Sequence, residues 1–165
     1  MKRSPLQVET YFLHELSFEV SEEYDDRKPV SDNSTSFQYF MDFGCHDVKK
    51  HKWFCALGVR FKPEVNDNAP YSYKVVLIGY FKVEGNIPSK EAEEKLVHAN
   101  APALLYTVAR EILSSVSASA RWGRIILPTV YFPAVTSAEL NSPKSERTTS
   151  SSAKSKSKVL KAQKS

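Results

Sequence analysis

The sequence is poor in cysteine and glycine, and it has no long apolar run. With only Cys45 and Cys55 in 165 residues, a scaffold held by disulfides is excluded. The five glycines form no G-x-G-x-x-G or phosphate-loop motif, which argues against a nucleotide-binding enzyme. No stretch approaches the roughly 20 apolar residues of a membrane helix, and the basic start lacks the apolar segment of a secretory signal. We therefore expect a soluble cytoplasmic protein without membrane insertion.

Catalytic constellations are also missing from the sequence. There is no G-x-S-x-G or H-E-x-x-H motif, and no nucleophile, base and orienting group can be assembled. His14 and Glu15 are strand neighbours, so their side chains point to opposite faces. His98, with Glu94 four residues before it, is typical of a surface ion pair. We expect no enzyme activity and no cofactor.

Four potential zinc ligands lie within eleven residues: Cys45, His46, His51 and Cys55. Their spacing, C-H-x4-H-x3-C, differs from the closely spaced cysteine pairs of structural zinc sites. Cys55 also alternates with Trp53 on an apolar strand face, where a free cysteine packs as a small core residue. The pattern favours a hairpin turn with two solvated histidines over a metal site.

Basic residues are in excess, and they are unevenly distributed. The formal net charge is +4, but residues 141–165 hold seven basic side chains and one acid, a net charge of +6, which leaves −2 on residues 1–140. We predict a folded domain over residues 1–140 and a disordered, Ser/Lys-rich tail over 141–165, because the tail has too few apolar residues to offset the entropy of ordering. A solvated tail is the simplest interpretation. A nonspecific contact with nucleic acid or an anionic membrane is the alternative.

Period-two alternation of apolar residues predicts four strands joined as an antiparallel meander. The strands are predicted over residues 8–20, 37–43, 53–61 and 71–83. In the first strand, an unbroken alternation places Val8, Phe12 and Leu16 on one face. Tyr11 and Leu13 then fall on the other face.

Helical spacing begins after residue 88. Ser89 can cap a short helical turn that runs through Glu94, and Pro102 is tolerated at a helix start, so we predict two helical segments. The second segment has apolar residues at helical spacing: Leu105, Val108, Ile112 and Val116. Pro128 and Pro133 exclude a regular helix or a central strand in the apolar segment that follows. The predicted class is α+β.

Aromatic residues fall on both faces of the predicted sheet. One helix can cover only part of one face, so apolar surface must remain exposed on the single chain. Exposed apolar patches of more than a few hundred Å² usually mark interaction sites. The pattern therefore indicates self-association, partner binding or both.

Four segments match, in order along residues 11–135, the motifs of one known family. Residues 16–19 (L-S-F-E) are similar to its I-S-F-E, and residues 79–85 (G-Y-F-K-V-E-G) to its G-x-F-x-I-x-G. Residues 101–111 are similar to its C-P-x-x-L-F-P-Y-A-R-E helix start, and residues 127–135 to its P-V-N-F-x-A-L stretch. Together these segments resemble the SecB family of protein-export chaperones, and more closely its divergent SecB-like members.

The resemblance implies a four-stranded antiparallel sheet packed with one long helix and assembled as a dimer of dimers. It also implies ATP-independent binding of unfolded polypeptides, which are held for the translocation motor SecA. Some SecB-like proteins instead serve as dedicated chaperones of antitoxins, and some are found in phages. In this sequence a basic tail stands where the family has a second helix and an acidic, SecA-contacting tail. The departures favour holding of clients over coupling to SecA.

We predict which residues would carry these interactions. Client contacts are predicted at aromatic residues on or near the less covered face: Phe37, Tyr39, Phe40, Phe54 and Tyr80. The interface of a homo-oligomer, a tetramer in the family, is predicted at Tyr11, Leu13, Leu104, Leu105, Tyr106 and Ile112.

Overall fold

The computed structural model describes residues 3–29, 37–64 and 67–134. Within these residues it contains four strands followed by one helix, which confirms the predicted α+β class. The elements are β1 (Leu6–Val20), β2 (Gln38–Asp47), β3 (Lys52–Phe61), β4 (Tyr71–Val83) and α1 (Lys90–Ala118), with a single 3-10 turn, Val48–Lys50, between β2 and β3. No helix among the described residues has both the length and the apolar character needed to cross a membrane.

The strands form one antiparallel sheet in the order β1-β4-β3-β2. The predicted simple meander is therefore wrong for β1, which lies beside β4 instead of β2. The reason is burial, because β4 contains three consecutive buried residues, Val75, Val76 and Leu77, and needs a neighbour on each side. β1 contains both apolar and polar residues, and most of its side chains are exposed, as is typical of an edge strand.

β1 is irregular in two places, where its register with β4 shifts between Val8 and Thr10 and again between Leu13 and Glu15. Each shift adds one residue to β1 and reverses the faces of the residues that follow. Tyr11 and Leu13 consequently lie on the same face as Val8, opposite Gly79 and Leu77. The unbroken alternation predicted for this strand is wrong.

α1 is one continuous helix, and the prediction of two segments is wrong. Ser89 caps it as predicted, since the Ala92 N–H donates to Ser89 Oγ at 3.2 Å. Pro102 lies inside the helix and is fully buried. Packing against the sheet offsets the backbone hydrogen bond that proline cannot make.

The core lies between α1 and one face of the sheet. Its members come from the start of β1, the two central strands, the buried stripe of α1 and the end of the described chain: Leu6, Trp53, Cys55, Leu57, Val59, Val75, Leu77, Phe81, Val83, Val97, Ala101, Leu105, Tyr106, Ala109, Leu113, Leu127 and Phe132. The segment from Ile125 onward has no regular structure, as the prolines predict. It is held to α1 by the Tyr106 hydroxyl, which donates to Pro128 O at 2.7 Å.

His98 is also part of this layer. It is buried, and its ring lies 4.1 Å from that of Phe43, centroid to centroid. The predicted surface position of His98 is wrong, because α1 turns this residue towards the sheet.

Candidate functional site

The face of the sheet opposite α1 carries an apolar surface, which we call the open face. It is formed by Phe12, Phe40, Phe54, Ile78 and Tyr80, which register pairing places on the side away from the helix. Phe12 and Phe40 are each 45% exposed, and the Phe12 ring lies 6.4 Å from that of Tyr80. Sequence patterning missed Phe12 because the two irregularities of β1 leave no mark in its hydrophobic pattern.

Two aromatic rings of the open face lie flat across glycines of the neighbouring strand. Phe40 is paired with Gly58, and Phe54 with Gly44. A Cβ on Gly58 would meet the Phe40 ring at 1.9 Å, and one on Gly44 would meet the Phe54 ring at 2.0 Å. Because the glycines have no side chain, the rings can lie close to the backbone of the sheet, and the open face is flat between β2 and β3.

The charged residues around the open face are mostly paired with one another. Lys52 binds Glu9 at 2.7 Å at one end, and Lys74 binds Glu15 at 2.7 Å towards the other. Asp42 is exposed on the edge strand β2, on the same side as Phe40 and directly opposite Ala56. Among the described residues, the centre of the face on β3 and β4 is thus uncharged, and Asp42 lies at its β2 border.

A second aromatic surface lies on the helix side of β2, and we call it the β2 aromatic edge. The Phe37 ring stacks at 6.2 Å on Tyr106, while Tyr39 and Tyr106 each approach the Phe132 ring edge-on at 5.9 Å. Tyr39 remains 46% exposed, and the neighbouring Tyr131 is largely exposed. β2 is the last strand of the sheet, so its outer N–H and C=O groups have no strand partner in the described part of the chain.

The residues predicted for client contact divide between these two surfaces. Phe40, Phe54 and Tyr80 lie on the open face, whereas Phe37 and Tyr39 belong to the β2 aromatic edge. The prediction groups them because all lie on or near the face that it takes to be less covered. Alternation along β2 separates Tyr39 from Phe40, but the sequence does not show which of the two faces α1 covers.

The residues predicted for the oligomer interface also separate. Tyr11, Leu13 and Leu104 are exposed, whereas Leu105 and Tyr106 are only 1% and 4% exposed inside the protomer core. Ile112 is half-buried against that core. The exposed residues on the helix side of β1 form a row that we call the β1 apolar row: Val8, Tyr11, Leu13, Leu16 and Val20.

The four potential zinc ligands do not converge. Cys55 is fully buried, and burial with the Asp42 carboxylate nearby raises its pKa to about 12, so the metal-binding thiolate is strongly disfavoured. The His46 ring lies against Tyr80 on the open face, and His51 binds the carboxylate of Glu93. Within the described ranges, no group of three or more His, Cys, Asp or Glu side chains could hold a metal ion.

A sheet with one covered face and exposed aromatic residues on the other is typical of a domain that binds other polypeptides. The chain belongs to the SecB family, since the family model described as preprotein translocase subunit SecB matches residues 1–142. Membership of this family supports a chaperone role. No curated protein matches the sequence.

Two solved structures resemble the fold at low sequence identity. One is the SecB-like chaperone Rv1957 of Mycobacterium tuberculosis, in complex with a ChAD peptide from the Rv1956 HigA1 antitoxin. It has a TM-score of 0.52 and 11% identity, and the match covers 78% of this chain and 93% of that chain. The other is a protein of unknown function from Streptococcus agalactiae, with a TM-score of 0.42, 14% identity, and coverage of 75% and 97%. The first likeness confirms the sheet-and-helix fold implied by the resemblance.

Proposed function

We propose that this protein is an ATP-independent holding chaperone that binds unfolded segments of other polypeptides in the cytoplasm. The observation that carries the proposal is the set of exposed aromatic side chains on an ordered sheet, with Tyr39 and Phe40 presented on opposite sides of one edge strand. Aromatic side chains offer large contact area at a small entropic cost, which suits binding that tolerates many sequences.

Such binding needs neither a nucleotide nor a catalytic group. Every 100 Å² of apolar surface that a client buries supplies about 2.5 kcal/mol, at about 25 cal/mol per Å². The loss of translational and rotational freedom and the ordering of the bound segment offset at least about 4 kcal/mol of the total gain. The net affinity is moderate, so a held segment can leave without a chemical step.

The β2 aromatic edge is the part of the protein best suited to an extended segment. Its outer backbone groups can pair with a bound strand, while Tyr39 contacts side chains on one side of that strand. Phe40, which belongs to the open face, lies on the opposite side of β2 and can contact the alternate side chains. Pairing through the backbone is independent of sequence, as the holding of diverse clients requires.

The test is suppression of aggregation of an unfolded model protein without nucleotide. We expect wild-type protein to suppress aggregation and saturate near one client per oligomer. The double variant Tyr39→Ser/Phe40→Ser should lose at least about tenfold in apparent affinity. Val48→Ser, which removes an exposed apolar residue from the β2–β3 turn, serves as the matched control and should behave as wild type. A folded wild-type protein that fails to suppress aggregation in excess would refute general holding.

We further propose that the working form is a homo-oligomer, a tetramer as in the family, with the β1 apolar row in the subunit contact. Its support is the row itself, in which five apolar side chains along one strand are between 39% and 51% exposed. A long apolar edge strand left uncovered would aggregate. Participation in protein export and contact with SecA rest on family membership.

The alternative is a dedicated chaperone of one partner, such as an antitoxin. The supporting observation is the shared fold with Rv1957, which is bound to an antitoxin peptide in its structure. Binding of a small protein encoded beside this chain, compared with an unfolded model protein, separates the two functions. A preference of more than about a hundredfold for the neighbour favours the dedicated role.

A further inference from the structure

The open face offers a bound polypeptide side chains but few backbone partners. β3 and β4 pair with strands on both sides, so their N–H and C=O groups are used within the sheet. An extended segment lying flat on this face would bury amides without replacement bonds, at about 1–3 kcal/mol for each buried group. An α-helix satisfies its own backbone, and α1 already packs in this way on the other face. The face therefore fits a helix better than a strand.

The dimensions of the face point to one helix. Four strands spaced about 4.8 Å apart and three rows of side chains along them give a footprint of about 400 Å², in which apolar residues predominate and Thr10, Glu15 and Asp42 are polar. A stable interface between two proteins buries about 800 Å² on each partner, so this face alone is too small for a second copy of the chain. Its length of about 20 Å corresponds to about 13 residues of α-helix.

The charge pattern of the face selects the kind of helix. Glu9 and Glu15 at its border each bind a lysine of the same chain at 2.7 Å. Asp42, two residues from Phe40 on the same side of β2, forms no ion pair among the described residues. Covering this carboxylate would be costly unless the partner supplied a cation.

We propose that the open face docks one amphipathic α-helix of a partner polypeptide, with a Lys or Arg of that helix paired to Asp42. The proposal rests on the proposed binding of other polypeptides and assigns this face a helical occupant. Phe12, Phe40, Phe54 and Tyr80 pack against the apolar stripe of the helix. Extended segments bind at the β2 aromatic edge.

The experiment uses the full chain and a labelled synthetic peptide of about 14 residues, which is long enough to span the face. The peptide contains only Ala, Leu and Lys, with leucines at helical spacing and one lysine beside the leucine stripe. A scrambled peptide of the same composition lacks the stripe. We expect fluorescence anisotropy to give at least about tenfold tighter binding for the amphipathic peptide, and circular dichroism to report helix formation on binding.

Two neighbouring residues supply matched variants. Phe40→Ser should weaken binding of the amphipathic peptide by about tenfold, because it removes apolar area from the open face. Tyr39→Ser changes an equally exposed aromatic residue on the other side of the strand. It should leave the affinity for the amphipathic peptide within about twofold of the wild-type value. Phe12→Ser is the second open-face variant and should weaken binding of the amphipathic peptide to the same extent as Phe40→Ser. Asp42→Asn should abolish the preference for this peptide over one with glutamine in place of lysine.

Three outcomes would overturn the helix site: equal binding of the scrambled peptide, binding without a gain in helix, or equal loss in Tyr39→Ser and Phe40→Ser. Aggregation suppression is measured on the same samples. Wild-type protein that holds an unfolded client but does not distinguish the two peptides refutes the helix site alone. Failure in both assays refutes the proposed chaperone function as well.

Discussion

At the scale of single residues, one buried carboxylate fixes the start of α1 to the sheet. Glu93 Oε1 accepts from Trp53 Nε1 at 2.6 Å, and Glu93 Oε2 lies 2.8 Å from Nδ1 of His51. His51 adopts the left-handed conformation, with φ 54, and its carbonyl accepts from the Val83 N–H at 2.9 Å. The network thus joins the β2–β3 turn, β4 and the helix. Its acid could be predicted near the helix start, but its partners lie 40 and 42 residues away and are set by the tertiary fold.

We predict that Glu93→Ala lowers the free energy of unfolding by about 2–3 kcal/mol, because it leaves the indole N–H of Trp53 buried without an acceptor. Glu93→Gln keeps an acceptor oxygen and should cost less than about half as much. Urea denaturation followed by tryptophan fluorescence measures both. Glu111→Ala, at an exposed position of the same helix, is the control and should stay within about 0.5 kcal/mol of wild type. Equal losses for Glu93→Ala and Glu111→Ala would contradict the assigned role.

At the scale of elements, β2 is attached to the sheet through its ladder with β3 and through the two aromatic–glycine pairs. The sequence predicts all four strands to within a few residues, because each alternates apolar and polar side chains. It does not predict where α1 continues through Pro102, since burial outweighs the local cost of proline. It does not predict the two register shifts of β1 either, because an extra residue such as Glu9 or His14 looks like any polar position.

Gly58→Ala should destabilise the protein by about 1–3 kcal/mol, because the new methyl group would occupy the position of the Phe40 ring. In the background of Phe40→Ala the same substitution should cost less than about 1 kcal/mol, since the ring is gone. A double-mutant cycle in urea measures the coupling. Strict additivity of the two substitutions would show that the ring and the glycine do not interact.

At the scale of the whole molecule, one helix covers one face of the sheet and leaves large apolar side chains exposed in the described part of the chain. The exposed side chains form the open face, the β2 aromatic edge and the β1 apolar row. The sequence correctly indicates that apolar surface is exposed, because aromatic residues fall on both faces of the predicted strands. It does not indicate that Leu105 and Tyr106 are buried in the protomer core. Their burial depends on how α1 is rotated about its axis.

We predict that Tyr11→Ser/Leu13→Ser dissociates the proposed oligomer, because it removes two members of the β1 apolar row. Native mass spectrometry and sedimentation should then report a lighter species at equal protein concentration. Phe12→Ser is the matched control, since Phe12 lies between them in the sequence, is 45% exposed and faces the other side of the sheet. An unchanged mass in the double variant, or dissociation by Phe12→Ser, would contradict the assignment of the interface.

The position of β1 beside β4 has a consequence for synthesis of the chain. Leu6 pairs with Val83, so β1 leaves the ribosome well before its partner strand β4. Closing so long a loop is slow, and proteins dominated by distant pairings fold slowly. During that interval the apolar residues of β1 are exposed on a nascent, incompletely folded chain. This protein therefore passes through a stage in which it is itself the kind of polypeptide that a holding chaperone binds.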